Sequence, residues 1–144
     1  MAGVNDIYTA LRTHEPVDLL IIMLGTNDVK ERFAANAACI ACGLERLIRK
    51  AQSVICWRGE PNILVICPPH IHEGPTFPEM GQGIVEKSQQ LAQQYELKAD
   101  LLGCAFLDAE GVAEFNRVDQ MHLTRKGHRQ LADKLAELVP GLLS

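Results

Sequence analysis

Residues 18–24 read DLLIIML and are followed at once by Gly25-Thr26-Asn27-Asp28. Six consecutive apolar side chains without alternation suit a parallel strand buried on both faces, because crossover helices cover the two sides of a parallel sheet. The Gly-Thr-Asn-Asp break that follows ends the strand in a turn. Further along, residues 62–67 (NILVIC) repeat the buried-strand pattern and stop at Pro68-Pro69, where a central ladder cannot continue. A third, shorter run, Ala105-Phe106-Leu107, ends at Asp108.

The segments between these runs have helical periods. Over residues 36–51, Ala37, Ile40, Ala41, Leu44, Leu47, Ile48 and Ala51 recur at three- and four-residue steps, with Arg46, Arg49 and Lys50 opposite. A second helix is expected over residues 84–95, with Ile84, Ser88, Leu91, Ala92 and Tyr95 on one side. Thr124 can cap a third, whose stripe is His128, Leu131, Ala132, Leu135, Leu138 and Val139, and His128 reads as a packed structural histidine. Residues 5–13 suit a short leading helix, and residues 68–83, rich in Pro, Gly and His, a long loop. The β-α-β-α-β-α order predicts an α/β domain with a parallel sheet and right-handed crossovers.

Composition bounds the rest. The chain has 144 residues, 47% of them hydrophobic, and a net charge of −4, which suits one folded domain and gives no basic footprint for nucleic acid. The apolar run at residues 19–24 is far short of the roughly 18 residues a membrane span needs, and residues 1–15 show no signal pattern. These features predict a soluble cytoplasmic protein that binds no membrane. Five scattered cysteines, Cys39, Cys42, Cys56, Cys67 and Cys104, fit reduced thiols better than a disulfide framework.

Ligands of open parallel sheets sit beyond the carboxyl ends of the strands. Three polar clusters fall there: residues 25–28, Pro69-His70-Ile71-His72, and Asp119-Gln120-Met121-His122 in the loop after Asp108. A carboxylate three residues before a histidine can bend back to hold its Nδ1–H, which leaves Nε2 as a base. A surface histidine beside a helix cap is the plainer alternative. Asn27 is either an oxyanion donor aimed into the crevice or a turn asparagine bonding its own backbone. Asp28 braces that turn.

These residues carry a resemblance. His14-Glu15-Pro16-Val17-Asp18 with LLIIMLGTND resembles the third sequence block of the SGNH hydrolases, the GDSL esterase and lipase family, and is closest to its aryl-esterase and acyltransferase subgroup. Asp119-Gln120-Met121-His122-Leu123-Thr124, with Gly127-His128 beyond, resembles the fifth block, and LVICPP at residues 64–69 the penultimate strand. The resemblance implies a three-layer α/β/α, flavodoxin-like fold and a Ser-His-Asp ester hydrolase acting on small-molecule esters without a cofactor. By motif match, His122 is the general base, Asp119 its orienting acid and Asn27 the oxyanion-hole asparagine. Thr26, His70 and His72 are pocket candidates by position.

The family's nucleophilic serine and second-block glycine have no counterpart here. The chain holds three serines, Ser53, Ser88 and Ser144, and none sits on a strand-to-helix elbow. Residues 1–144 therefore read as a single partial SGNH-type domain whose first strands are absent, as in a truncated gene model, and as inactive alone. The strand at residues 19–24 then becomes an exposed apolar edge, open to a second copy or a complementing chain. Two alternatives are weaker. A non-catalytic α/β nucleotide- or phosphate-binding module needs a glycine-rich phosphate loop that the sequence lacks. A metal site from Cys39, Cys42, His70 and His72 lacks the spacing that completes a zinc set, so no metal is expected.

Overall fold

Ala37, Ile40, Ala41, Leu44, Leu47, Ile48 and Ala51 are all buried on helix α2, Ala37–Gln52. This computed structural model of the chain describes residues 2–72 and 83–144. The stripe forms the centre of the core, and each fully buried Leu or Ile contributes about 1.5–3 kcal/mol. Asn36 starts the helix: its side chain accepts a hydrogen bond from the Cys39 N–H at 2.8 Å.

Three parallel strands, β1 (Leu20–Met23), β2 (Ile63–Cys67) and β3 (Ala105–Asp108), form a sheet in the order β1-β2-β3. The register aligns Ile22 with Val65 and Val65 with Phe106. Strand β2 is central, and all five of its residues are buried. Its alternate side chains serve two layers. Ile63, Val65 and Cys67 join the core under α1 (Ile7–Thr13), α2 and α3 (Ile84–Leu101), whereas Leu64 and Ile66 meet Leu131, Leu135 and Leu142 of α4 (Arg125–Leu142). The result is an α/β fold with helices on both faces of a small sheet.

Three expectations are corrected. Residues 18–24 are not buried on both faces as their unbroken apolar run suggests, but form the exposed apolar edge that the partial-domain reading expects: Ile22 is buried, and Ile21 and Leu24 are 39% and 40% exposed. The second helix does not end near Tyr95 but runs to Leu101, with Ala99 extending its buried stripe. Leu97 and Leu101 lie off that stripe and face solvent, which hid its continuation. His128 is exposed rather than packed. The first turn of α4 meets the body of the domain through buried Gly127, where a Cβ would lie 2.3 Å from the Glu114 carbonyl oxygen, and this contact turns His128 outward. Of the loop expected over residues 68–83, residues 73–82 lie outside those described.

Candidate active site

The loop between β3 and α4 is built around Asn116. A bridge between Phe115 and Leu123 closes it, and the Asn116 N–H donates to the His122 carbonyl at 2.8 Å. The Asn116 side-chain oxygen accepts from the N–H groups of Val118 and Asp119 at 2.9 and 3.0 Å. Its Nδ2 donates to Asp119 Oδ1 and to the His122 carbonyl, each at 3.0 Å. Gln120 takes a left-handed φ of 54°, and the chain turns tightly between the acid and the histidine.

This turn brings Asp119 and His122 together. Oδ1 of Asp119 accepts from the N–H groups of Met121 and His122 at 2.9 and 3.1 Å, which leaves Oδ2 to meet His122 Nδ1 at 2.9 Å. Burial is the strongest influence on the carboxyl group and raises its pKa. The Met121 N–H, the His122 ring, the His122 N–H and the Asn116 amide together outweigh it and hold the group down at about 2. An ionised Asp119 keeps the proton of neutral His122 on Nδ1 and leaves the Nε2 lone pair available. The ring is 76% exposed, and Nε2 has no partner among the described residues. Helix capping falls to Thr124, two residues on, whose hydroxyl oxygen accepts from the Gly127 N–H at 2.8 Å.

The pH dependence of this turn follows. Because the folded value lies below the ordinary 3.8, the stabilisation from Asp119 is complete above 3.8 and is lost as pH falls through about 2. The amide resonances of Met121 and His122 are expected to titrate with a midpoint of about 2. A midpoint at the ordinary carboxylate value would refute the hydrogen-bond geometry given for Oδ1.

At the end of β1 the chain is fixed from below. The buried Tyr95 hydroxyl donates to the Leu24 carbonyl at 3.0 Å, and Gly25, at φ 123°, passes directly over it. Burial above all pushes the Tyr95 pKa upward, so the hydroxyl remains a donor. The Asp28 N–H bonds the Gly25 carbonyl at 2.9 Å and closes the turn. Asn27 lies on this turn, exposed, and its side chain makes no hydrogen bond among the described residues; it does not bond its own backbone. Thr26 beside it is half-buried. Asn27 and His122 thus both belong to loops at the carboxyl edge of the sheet, with β2 between the strands that lead to them.

His70 and His72 are joined through Glu110, which follows β3. The Glu110 carboxylate accepts from the His70 N–H at 2.7 Å and lies 2.7 Å from His72 Nε2. All three line a cavity of about 390 Å³, to which Asn116 and Gln130 also contribute but Thr26, Asn27 and His122 do not. Among the described residues no group of three or more His, Cys, Asp or Glu is placed to hold a metal, and Cys39 and Cys42 lie exposed on α2. The serine hydroxyls are occupied locally. Ser53 donates to the Lys50 carbonyl, Ser144 to that of Gly141, and buried Ser88 donates to Val85 while accepting from the Ile71 N–H at 2.9 Å. Asn116, Tyr95 and Glu110 were not singled out from the sequence. Asn116 shares with His122 the three-residue spacing to Asp119, the one signal that points to it.

The parallel α/β sheet thus presents an aspartate-held histidine, with Nε2 open, beyond its carboxyl edge. The comparisons with known proteins define the chain's class. Residues 1–130 match the GDSL-like lipase/acylhydrolase family, and the chain belongs to that family. A carbohydrate acetylesterase family member from Sinorhizobium meliloti superposes with a TM-score of 0.89 at 34% identity, covering 98% of this chain and 68% of its own. The aryl esterase of M. smegmatis gives a TM-score of 0.88 at 35% identity, with the same coverage of 98% and 68%. Est24, a carbohydrate acetylesterase from Sinorhizobium meliloti, gives 0.87 at 31% identity, covering 97% of this chain and 68% of its own. No curated protein matches the sequence. Among the described residues no helix is long and apolar enough to cross a membrane.

Proposed function

We propose that this chain supplies the base, the orienting acid and one oxyanion donor of a Ser-His-Asp carboxylic-ester hydrolase, and that the nucleophilic serine comes from a segment outside residues 1–144. The observation that carries this reading is the 2.9 Å contact between Asp119 Oδ2 and His122 Nδ1, with Nε2 open. In the completed site a serine hydroxyl gives its proton to His122 Nε2 as its oxygen attacks the ester carbonyl. Asn27 donates to the oxyanion of the tetrahedral intermediate, and His122 returns the proton to the departing alcohol. Water, or an alcohol in an acyltransferase, then releases the acyl group by the reverse sequence. Asp119 holds the tautomer throughout and stays ionised.

Strand β1 is where the missing part docks. Its outer edge has no strand partner among the described residues, and Ile21 and Leu24 leave apolar surface beside it. A segment that adds a parallel strand there buries both side chains and brings its own carboxyl-end turn beside Asn27. The test is complementation: the portion of a family member that this chain does not match is added to it, and aryl acetate hydrolysis is followed. Activity is expected only in the mixture, and His122→Ala or Asp119→Asn should abolish most of it. Hydrolysis that is indifferent to His122, or that never arises in a mixture shown to associate, overturns the reading.

A further inference from the structure

The five cysteines divide into two sets. Cys56 and Cys67 are buried and Cys104 is half-buried, and burial pushes their thiols up, that of Cys67 to about 12. Such thiols react slowly, because the thiolate is the nucleophile. Cys39 and Cys42 are instead exposed, and both lie on helix α2. Ile40 and Ala41 between them face the core, and the flanking Ala38 and Gly43 carry too little side chain to screen the two sulfurs.

Helix geometry sets the separation of the pair. Three residues of an α-helix advance about 4.5 Å and turn through about 300°, which leaves the two Cα atoms about 5 Å apart on one face. A disulfide spans Cα separations of about 4.4–6.8 Å, but it requires the Cβ atoms about 1–2 Å closer than an undistorted helix holds them. The first turn can supply that movement. The Cys39 N–H bonds the Asn36 side chain at 2.8 Å instead of a helix carbonyl, so this amide shifts without breaking a backbone bond of the helix. On the other side of the pair, Glu45 holds the Lys98 ammonium of α3 at 2.6 Å; that carboxylate does most to raise the Lys98 pKa, and Cys42 adds to it. A cation thus stands within electrostatic reach of one of the two sulfurs. Among the described residues no group of three or more His, Cys, Asp or Glu is placed to hold a metal, so the pair is a dithiol and not part of a metal set.

We propose that Cys39 and Cys42 form a reversible dithiol–disulfide site, oxidised by small-molecule disulfides such as glutathione disulfide. The thiolate of one cysteine attacks a glutathione sulfur, the glutathione S–S bond breaks, and a first glutathione leaves as the thiol, with the proton that the cysteine gave up. The thiolate of the second cysteine then attacks the protein sulfur of this mixed disulfide. The Cys39–Cys42 bond forms, and a second glutathione leaves with the second proton. The cysteines lose two electrons and glutathione disulfide gains them. A bond closed against the helix geometry is strained and so readily reduced, which makes the site reversible and not a structural link. The inference does not use the hydrolase reading. The experiment incubates the folded chain with glutathione disulfide, blocks the remaining thiols with iodoacetamide and maps the peptides by mass spectrometry. The expected result is the loss of two of the five thiols to a Cys39–Cys42 disulfide, and dithiothreitol should restore both. Cys42→Ser should stop at glutathione on Cys39, and Cys39→Ser at glutathione on Cys42, because each lacks its resolving partner. Buried Cys67 should react only once urea unfolds the chain. Glutathione retained on both cysteines of the unsubstituted chain, no reaction at either, disulfides that join other cysteines or two chains, or equal reaction of all five thiols overturns the proposal.

Discussion

Treated with a serine-directed fluorophosphonate, the isolated chain should remain unlabelled at Ser53, Ser88 and Ser144, and its aryl acetate hydrolysis should be indistinguishable from buffer. The reason is chemical rather than statistical. A serine becomes a nucleophile when a base takes its proton and a strained turn exposes its oxygen. Here each hydroxyl instead donates to a backbone carbonyl three residues earlier, Lys50, Val85 and Gly141 respectively. Removing the nucleophile from a serine hydrolase costs about 10⁶ in kcat, and the oxyanion hole and binding retain only about 10³ to 10⁴ over water. In the complemented enzyme the label should appear on the added segment, and His122→Ala should suppress it. Mass spectrometry that places the adduct on any of the three serines would remove the need for a second segment.

The parts of this fold that were legible in sequence are those set by local periodicity. The α2 stripe is correct at every position because one long amphipathic helix packs one face against the sheet. The Asp119–His122 contact was legible because the two residues lie three apart, and a tight turn suffices to join them. What escaped was non-local. Tyr95 reaches the Leu24 carbonyl across 71 positions, and Glu110 reaches the His70 N–H across 40. Such contacts depend on strand order, which no local pattern encodes. His128 escapes the pattern because the buried contact in the first turn of α4 is made by Gly127, a residue with no side chain to mark it, and the packed leucines begin at Leu131.

The same distinction separates the two loops of the site. The Asp119–His122 turn holds itself: Asn116, Asp119 and His122 satisfy one another within seven residues. The Gly25–Asp28 turn instead depends on α3 from beneath, and Lys87 of α3 adds a 2.9 Å ion pair to Glu31 just beyond it. Packing changes in α3 should therefore reach Asn27, while the dyad stays in place.

Gly25→Ala should be the most damaging single substitution at that turn. A Cβ on Gly25 would lie 2.2 Å from the Tyr95 hydroxyl oxygen, and the backbone φ of 123° is one that L side chains rarely adopt. The backbone strain costs about 1–3 kcal/mol, and the overpacking against a buried ring about 1–3 kcal/mol more. The two contributions separate experimentally. Tyr95→Phe alone removes the donor to the Leu24 carbonyl and should cost about 0.5–1.5 kcal/mol. In the double variant the hydroxyl is gone and the next atom, Cζ of the ring, stands 3.2 Å away, so much of the overpacking disappears while the φ strain remains. Urea unfolding should thus show the double variant to be more stable than Gly25→Ala alone, a favourable coupling between residues in contact. Additive losses would mean that overpacking against the Tyr95 hydroxyl contributes nothing to the cost of Gly25→Ala. In the complemented enzyme the single Gly25→Ala change should lower kcat more than KM, because it displaces Asn27, whose proposed bond is to the oxyanion rather than to the ground-state ester.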